Sequence, residues 1–478
     1  VKGIPLPAVG ALLELDVDGM DDEGRGRANV GEEDTGYDVA VRGAFPGDRV
    51  RARVERVFAV RRLVQAVTAS VVDEGSLRIA RVCRHGGPCA ACPLEGADPS
   101  LALALKRARI EDALRAHDLS AAVDDVVTPP SPYGRRQKVK LVCGGTRGHV
   151  VLGLYAPHSH ALVAAHLCPY VDPEVSRAVE AVRATLSASG ALPGEGGVRA
   201  VIARAFASGV GVIVQSARPL DDDMRRALVA LVPAHLASIG VRIETHVTNS
   251  LLGGAREHLA GPSRMVPKEG GPAVETDAFA QPDPDLSLLM NSLAAAFLVD
   301  GTFADDAETL DRTAPAVPGH ADAPMHAPAF VRRDSERIFV DAYAGTGAFT
   351  RALLARGASH VIAIERSPDV GALSDDARVD ARTGDVEPVA RALVVEGTIA
   401  QGVVADPARR GLGFDVHALV ALGAARFVLV SCDPQSMGRD VRAIVDAGYR
   451  VARVLPIDLF PGTPEIETMV FLERHAET

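Results

Sequence analysis

From Ile338 onward, short apolar runs recur with helical stretches between them: Ile338–Tyr343, Val361–Ile364, Gly402–Ala405, Phe427–Val430 and Arg450–Leu455. Strand-like runs alternating with helices predict a doubly wound α/β sheet. That constrains chemistry as well as fold, because such sheets bind ligands at the carboxyl ends of their strands. Three polar segments follow strand ends here or lie near the C-terminus: Asp406–Gly411, Ser431–Pro434 and Phe460–Met469.

The remaining residues read differently. A chain of 478 residues is long enough for several domains. Residues 1–78 alternate apolar and polar positions between Gly/Asp turns, which predicts a small five-stranded barrel of the kind that binds oligonucleotides. Its run Arg49–Val54 sets three arginines on one strand face. Residues 79–285 predict a central α+β domain, with helices over Ser100–His117 and Pro173–Ser187, strands over Val139–Val142 and Ala161–Ala165, and a long loop over Gly253–Gly271. Residues 286–478 form the doubly wound domain, opened by a helix over Leu286–Leu298 and an insertion over Thr302–Asp334 rich in Ala, Pro, Asp and His. A net charge of −11 argues against a protein that coats nucleic acid nonspecifically but leaves room for a local basic groove. No stretch approaches the ~20 apolar residues of a membrane span. The opening VKGIPLPAVG has no basic-then-apolar leader, so a soluble cytoplasmic chain is expected, with a monomer as the default.

Val340–Thr350 reads as a buried strand, a Gly345-x-Gly347 loop and the start of a helix, an arrangement that brings free N–H groups close to a ligand. The next strand ends in Glu365, where a carboxylate takes the hydroxyls of a ribose, and Asp385 follows the third strand region, within reach of an adenine edge. This pattern suits a dinucleotide or S-adenosylmethionine. Its Asp341-x-x-x-Gly345-x-Gly347 form, with Tyr343 inside it, resembles class I methyltransferases more than the dinucleotide fingerprint. Cys432 precedes Asp433-Pro434, a helix cap and first helical residue. A thiol at a helix N-terminus is expected to have a lowered pKa.

Taken together these segments resemble the RNA uracil-5-methyltransferase family, over nearly the whole chain from Leu12 to Leu472. Ser431-Cys432-Asp433-Pro434, continuing through Arg439-Asp440, matches the family's nucleophile motif; Asp406-Pro407-x-Arg409 matches its Asp-Pro-Pro-Arg loop; Glu467 falls at its base; and Phe279-Ala280-Gln281 resembles its Phe-x-Gln segment. The resemblance implies an enzyme that binds S-adenosylmethionine through Gln281, Asp341, Tyr343, Gly345, Gly347, Glu365, Asp385 and Asp406. It implies catalysis by Cys432, Glu467 and Asp406, Arg409 or Arg410 as phosphate contact, and 5-methyluridine in RNA as product. The N-terminal barrel resembles the TRAM module.

Cys83-x5-Cys89-x2-Cys92 with the distant Cys168 has the form of a four-thiolate metal site, open by spacing alone to zinc or an iron–sulfur cluster. The family's ribosomal branch carries a [4Fe–4S] cluster on this spacing, so the resemblance implies that cluster, and 23S ribosomal RNA ahead of tRNA as target. The basic run Arg135–Lys140, beside Tyr133, is expected to face RNA.

The chain departs from the family at three places. Ala408 replaces the second proline of Asp-Pro-Pro-Arg, Ala344 stands where a cysteine is common, and Gly462 and Glu465 replace two histidines before the base, making Glu465 a rival to Glu467. Competing functions are an amino-methyltransferase, which needs no cysteine, and a non-catalytic RNA-binding protein that keeps the fold.

Overall fold

The computed structural model describes residues 4–32, 35–85, 89, 91–157, 159–165, 168–245, 254–303, 337–367 and 373–475. The expected insertion 302–334 lies, from 304 on, outside the described residues.

The first six strands are β1 Leu12–Asp16, β2 Gly19–Met20, β3 Gly26–Val30, β4 Tyr37–Arg42, β5 Arg49–Phe58 and β6 Leu63–Asp73. Their order is β1-β5-β6-β4-β3-β2. β1 and β2 are two halves of one bent segment that pairs with β5 at one end and β3 at the other. Strict alternation along β5 sends Val50, Ala52 and Val54 inward and Arg49, Arg51 and Arg53 outward. Arg51 pairs with Glu14 at 3.0 Å.

The central sheet comprises β7 Lys138–Thr146, β8 His149–Tyr155, β9 Leu162–Ala164, β10 Val198–Phe206, β11 Gly209–Ser216, β12 Ser238–Ile243 and β13 Ala255–Ala260. Helices Pro173–Ala188 and Asp222–Val229 cover its apolar face. The segment read as a loop, Gly253–Gly271, contains β13. As an edge strand beside β12, it holds Arg256, Glu257 and His258 and buries no residue fully, so it lacks the alternation that marks a strand.

The C-terminal sheet comprises β14 Ile338–Ala342, β15 His360–Glu365, β16 Val379–Thr383, β17 Gly402–Ala405, β18 Arg426–Ser431, β19 Tyr449–Ile457 and β20 Glu467–Arg474. Its order is β16-β15-β14-β17-β18-β20-β19, parallel except for β20, which runs antiparallel to both neighbours. Both faces are buried, which is why these strands read as continuous apolar runs. Val340, Ile362, Val403 and Phe427 face one core, and Phe339, Val361, Val404 and Val428 face the other. Helices Val386–Val395, Asp415–Val420 and Pro434–Asp446 cover the first face; Pro284–Ala295, its π-turn Ala296–Asp300, and Ala348–Ala355 cover the second. No helix among the described residues is long and apolar enough to cross a membrane.

Helix Pro99–Ala116 packs Ile110, Ala113 and Leu114 into the first of these C-terminal cores. Its Lys106 is wholly buried, bonded to the Asp458 carboxylate and donating to the Phe460 carbonyl at 3.1 Å. Arg109, one turn on, donates to the Pro464 carbonyl. The helix therefore grips the loop that leads into β20. Removing one partner of a buried ion pair strands the other charge, at a cost of ~3–5 kcal/mol. Lys106→Met should destabilise the protein by about that much in urea unfolding, and adding Asp458→Leu should recover most of the loss.

Candidate active site

Parallel strands that end together deliver their following residues to one edge. Tyr343, Glu365, Asp406 and Cys432 all stand at the carboxyl edge of the C-terminal sheet. Because β20 runs the other way, its first residue stands there too. Ser431 pairs with Thr468, which sets Cys432 and Glu467 at neighbouring strand ends.

Asp341, 1% exposed, accepts from the Thr350 amide at 2.8 Å and hydroxyl at 2.6 Å. It thereby ties β14 to the first turn of helix Ala348–Ala355, whose cap Gly347 has no side chain to do so. Burial pushes this carboxyl up to about 6, and its Oδ1 has no partner among the described residues. Gly345 and Gly347 both take positive φ, +54° and +80°, with open space where a Gly345 side chain would stand. The Gly345 amide donates to Glu365 at 3.0 Å, and the other oxygen of Glu365 accepts from Ser367. Tyr343, also at positive φ, donates its hydroxyl to Asp415, a partner with no sequence signal. Gln281 arrives from the segment before the C-terminal domain and donates to Asp406 at 3.4 Å. An open cradle, a buried acid with one oxygen unpartnered among the described residues, and a glutamate at the second strand end suit an aminoacyl nucleoside such as S-adenosylmethionine. Asp385 differs from the rest: it is exposed and held by Arg366 at 2.6 Å, so its carboxylate faces an arginine in this structure.

On the other side of Asp406 lie Glu467 and Cys432. Glu467 is 3% exposed, and its Oε1 has no partner among the described residues. Burial, then the neighbouring Asp406 charge, pushes its pKa well above the usual carboxylate range. Asp406 itself is pushed up to about 7 by burial, then by Asp341, with the Gln281 bond opposing. Cys432 is half-buried, and burial, then Glu467, pushes its thiol up to about 11, with Arg409 opposing. The expected lowering at a helix N-terminus is thus reversed. Asp433 does cap helix Pro434–Asp446, but its own carboxylate takes the Ser436 amide at 2.8 Å. Glu465 and Glu467 are also separated: Glu465 is half-exposed and pairs with Arg409 at 3.0 Å, while Glu467 is buried beside Cys432 and Asp406.

The four cysteines Cys83, Cys89, Cys92 and Cys168 are free and half-buried. Burial and then the Cys168 thiol push Cys92 up to about 12, and Cys83 and Cys89 add to the burial that raises Cys168. The four thiols therefore face one region. Even so, no three Cys, His, Asp or Glu side chains among the described residues stand in position to hold a metal ion. The expected four-thiolate site is not assembled for a single ion, whose ligands must crowd within ~2.3 Å of it. Glu95 organises the segment, accepting from the Val82 and Cys83 amides at 2.9 Å each and from the Tyr170 hydroxyl. A cleft of about 290 Å³ between this segment and the N-terminal sheet is lined by Arg42, Arg78, Arg81 and Thr68. The basic run Arg135–Lys140 turns partly inward: Arg135 pairs with Asp283 and Asp285, and Lys138 donates to the Asp277 and Ala278 carbonyls.

No family model matches the chain. It is similar along its length to proteins named uncharacterized RNA methyltransferases. One from Caldanaerobacter subterraneus is 26% identical, over 98% of this chain and 99% of that protein. One from Geobacter sulfurreducens is 28% identical, over 97% of this chain and 90% of that protein. Among solved structures, the Pyrococcus abyssi tRNA (uracil-54, C5)-methyltransferase in complex with S-adenosyl-L-homocysteine shares the fold. Its TM-score is 0.66 at 18% identity, covering 96% of this chain and all of that one. The chain is thus similar along its whole length to proteins named RNA methyltransferases and shares the fold of a tRNA (uracil-54, C5)-methyltransferase.

Proposed function

We propose that the protein methylates carbon 5 of a uridine in RNA, with Cys432 as nucleophile and Glu467 as base. The observation that carries this reading is a half-buried thiol beside a buried, partnerless carboxylate at adjacent strand ends. An enzyme acting on an amino group has no use for such a thiol.

S-adenosylmethionine, when bound, supplies an electrophilic methyl group. Asp341, Glu365, the Gly345–Gly347 loop and Gln281 would hold it. Carbon 5 of uracil is a weak nucleophile until the ring is activated. The Cys432 sulfur adds to carbon 6, the ring's π electrons move to the carbon-4 oxygen, and the thiol proton passes to the Asp406 carboxylate, which leaves an ionised Glu467 for the later step. Carbon 5 then takes the methyl group. Glu467 removes the carbon-5 proton, the double bond reforms, and the sulfur leaves. A base whose pKa is lifted by burial suits that last step, since its ionised form binds the proton strongly. Asp406, next to both groups, is suited to hold the uracil edge, and Arg409 to meet a phosphate.

Ribosomal RNA is the proposed target, on the resemblance of the barrel and cysteine spacing to the family's ribosomal branch. The full-length fold match to a tRNA uracil-54 methyltransferase supports a tRNA loop as the second reading. We further propose that Cys83, Cys89, Cys92 and Cys168 hold a [4Fe–4S] cluster, whose thiolates stand farther apart than those around a single zinc ion.

RNA containing 5-fluorouridine should trap wild-type protein as a covalent adduct through Cys432, since carbon-5 fluorine cannot leave as a proton does. Cys432→Ala should form neither adduct nor 5-methyluridine; N-methylated product from that variant would sink the reading. Glu467→Gln should accumulate the adduct on ordinary RNA, with turnover reduced ~10²–10⁴-fold. In the free protein, alkylation of Cys432 by iodoacetamide, followed by mass spectrometry, should rise with pH toward a midpoint near 11. Glu467→Gln should move that midpoint down, because one negative charge beside the thiolate is gone. Anaerobically purified protein should carry about four irons per chain, lost in Cys168→Ser; zinc in their place would overturn the cluster assignment. Mapping 5-methyluridines in a deletion strain separates ribosomal from transfer RNA.

A further inference from the structure

We propose that the loop from Asp406 to Asp415 is a rigid lip that seats the RNA strand next to the target uridine, with Phe414 stacking a neighbouring base and Arg410 meeting a phosphate. The inference rests on the RNA-methylating reading above and adds to it a contact outside the reacting groups.

Both ends of the loop belong to the site. Asp406 adjoins Cys432 and Glu467, and Asp415 receives the Tyr343 hydroxyl at the cofactor side. The loop therefore runs from the Cys432–Glu467 side of the sheet edge to the Tyr343 side. Between these ends it is pinned. The buried Asp440, 2% exposed, accepts from the Leu412 amide at 2.6 Å and the Gly413 amide at 3.3 Å. Ser436 donates to the Arg409 carbonyl at 3.0 Å, and Arg439 to the Arg410 carbonyl at 2.7 Å. Gly411, at φ +74°, leaves no room for a side chain against Asp440.

On this fixed backbone Leu412 turns inward, 3% exposed, while Phe414 stands out at 86%. A single exposed aromatic is ordinary on a protein surface. What distinguishes Phe414 is that its backbone is held, so presenting it to a base costs little conformational entropy, and that arginines flank it. Arg409 and Arg410 face solvent on the same lip, and Arg439 is half-exposed beside it. Arg409 is paired with Glu465 and Arg439 with Asp440, which leaves Arg410 as the arginine of the lip with no acidic partner among the described residues. One such arginine beside a flat, exposed aromatic fits single-stranded nucleic acid, where backbone charge and base stacking act together.

The test uses the full chain and an RNA fragment that the wild-type protein methylates or traps through 5-fluorouridine, with binding measured by fluorescence anisotropy over a salt series. Phe414→Ala and Phe414→Leu should each weaken RNA binding about tenfold, the usual size of a base–aromatic stack. Phe414→Trp should retain binding, and S-adenosylmethionine affinity should stay unchanged in all three. Arg410→Gln should lower the salt dependence by about one phosphate contact. Wild-type-like RNA binding by Phe414→Ala, in protein that still traps 5-fluorouridine, overturns the lip alone. Binding that depends on Phe414 in a wild-type protein that traps nothing keeps the lip and overturns the methyl-transfer reading instead.

Discussion

β20 enters the C-terminal sheet against the direction of β18, in a register that sets Ser431 opposite Thr468. In an all-parallel sheet the residue before a strand lies at the far edge from the one that follows its neighbour. The single reversal lets Glu467, the first residue of its strand, meet Cys432, which follows the last residue of another. A one-residue slip would turn Glu467 to the opposite face of the sheet. Buried neighbours on both sides, Ile466 and Thr468, argue against such a slip. The loop before β20 is fixed as well, by Lys106 and Arg109 from a helix more than three hundred residues earlier. The geometry of the reacting pair is thus set by backbone pairing and a buried ion pair, not by contacts between the two side chains.

That geometry has an electrostatic consequence. Asp341, Asp406 and Glu467 form a line of buried or half-buried acids, each raising the next. Three full negative charges in one low-dielectric site repel strongly, so protons are retained and shared among them. The same field holds the Cys432 thiol protonated in the free protein, leaving it poorly reactive until a uracil carbon is in front of it. Arg409 opposes this field at Cys432 and is held by Glu465, while Arg351 opposes it at Asp341. A phosphate competing for Arg409 would change the balance only when RNA is present.

Much of this was legible in the sequence, for specific reasons. Four of the six parallel strands, β14, β15, β17 and β18, are largely apolar on both faces, and Gly345, Gly347, Glu365, Asp406 and Cys432 lie at or just after strand ends, so the sheet and the placement of these residues could be read from local pattern. Contacts made across the fold could not. Nothing local marks Asp415 as the partner of Tyr343, Asp440 as the anchor of the 406–415 loop, or Lys106 as a buried charge in a helix that looks amphipathic and ordinary. β13 escaped because an edge strand with no fully buried residue has no periodicity to show. The raised pKa of Cys432 escaped because helix position is visible in a sequence, whereas burial among carboxylates is not. Arg135 and Lys138 looked like an exposed basic run, because the acids and carbonyls that receive them lie about 140 residues away.

The departures from the family pattern become intelligible through the cysteine segment. Gly462 adopts φ +76°, with the Tyr170 hydroxyl occupying the space where a side chain would stand and the Cys92 Cβ just beyond it. Its carbonyl accepts from the Leu94 amide at 3.0 Å. A histidine here would need both a left-handed backbone and the volume that Tyr170 fills. Tyr170 in turn bonds Glu95, the residue that gathers the Val82 and Cys83 amides. The loop carrying Glu465 and leading to Glu467 is therefore packed directly on the cysteine-bearing segment, with glycine as the residue that permits the approach. At Gly462 this chain fills the space with Tyr170, and Glu465 faces Arg409. The order of the cysteine segment and the placement of Glu467 are thereby linked through the backbone at Gly462.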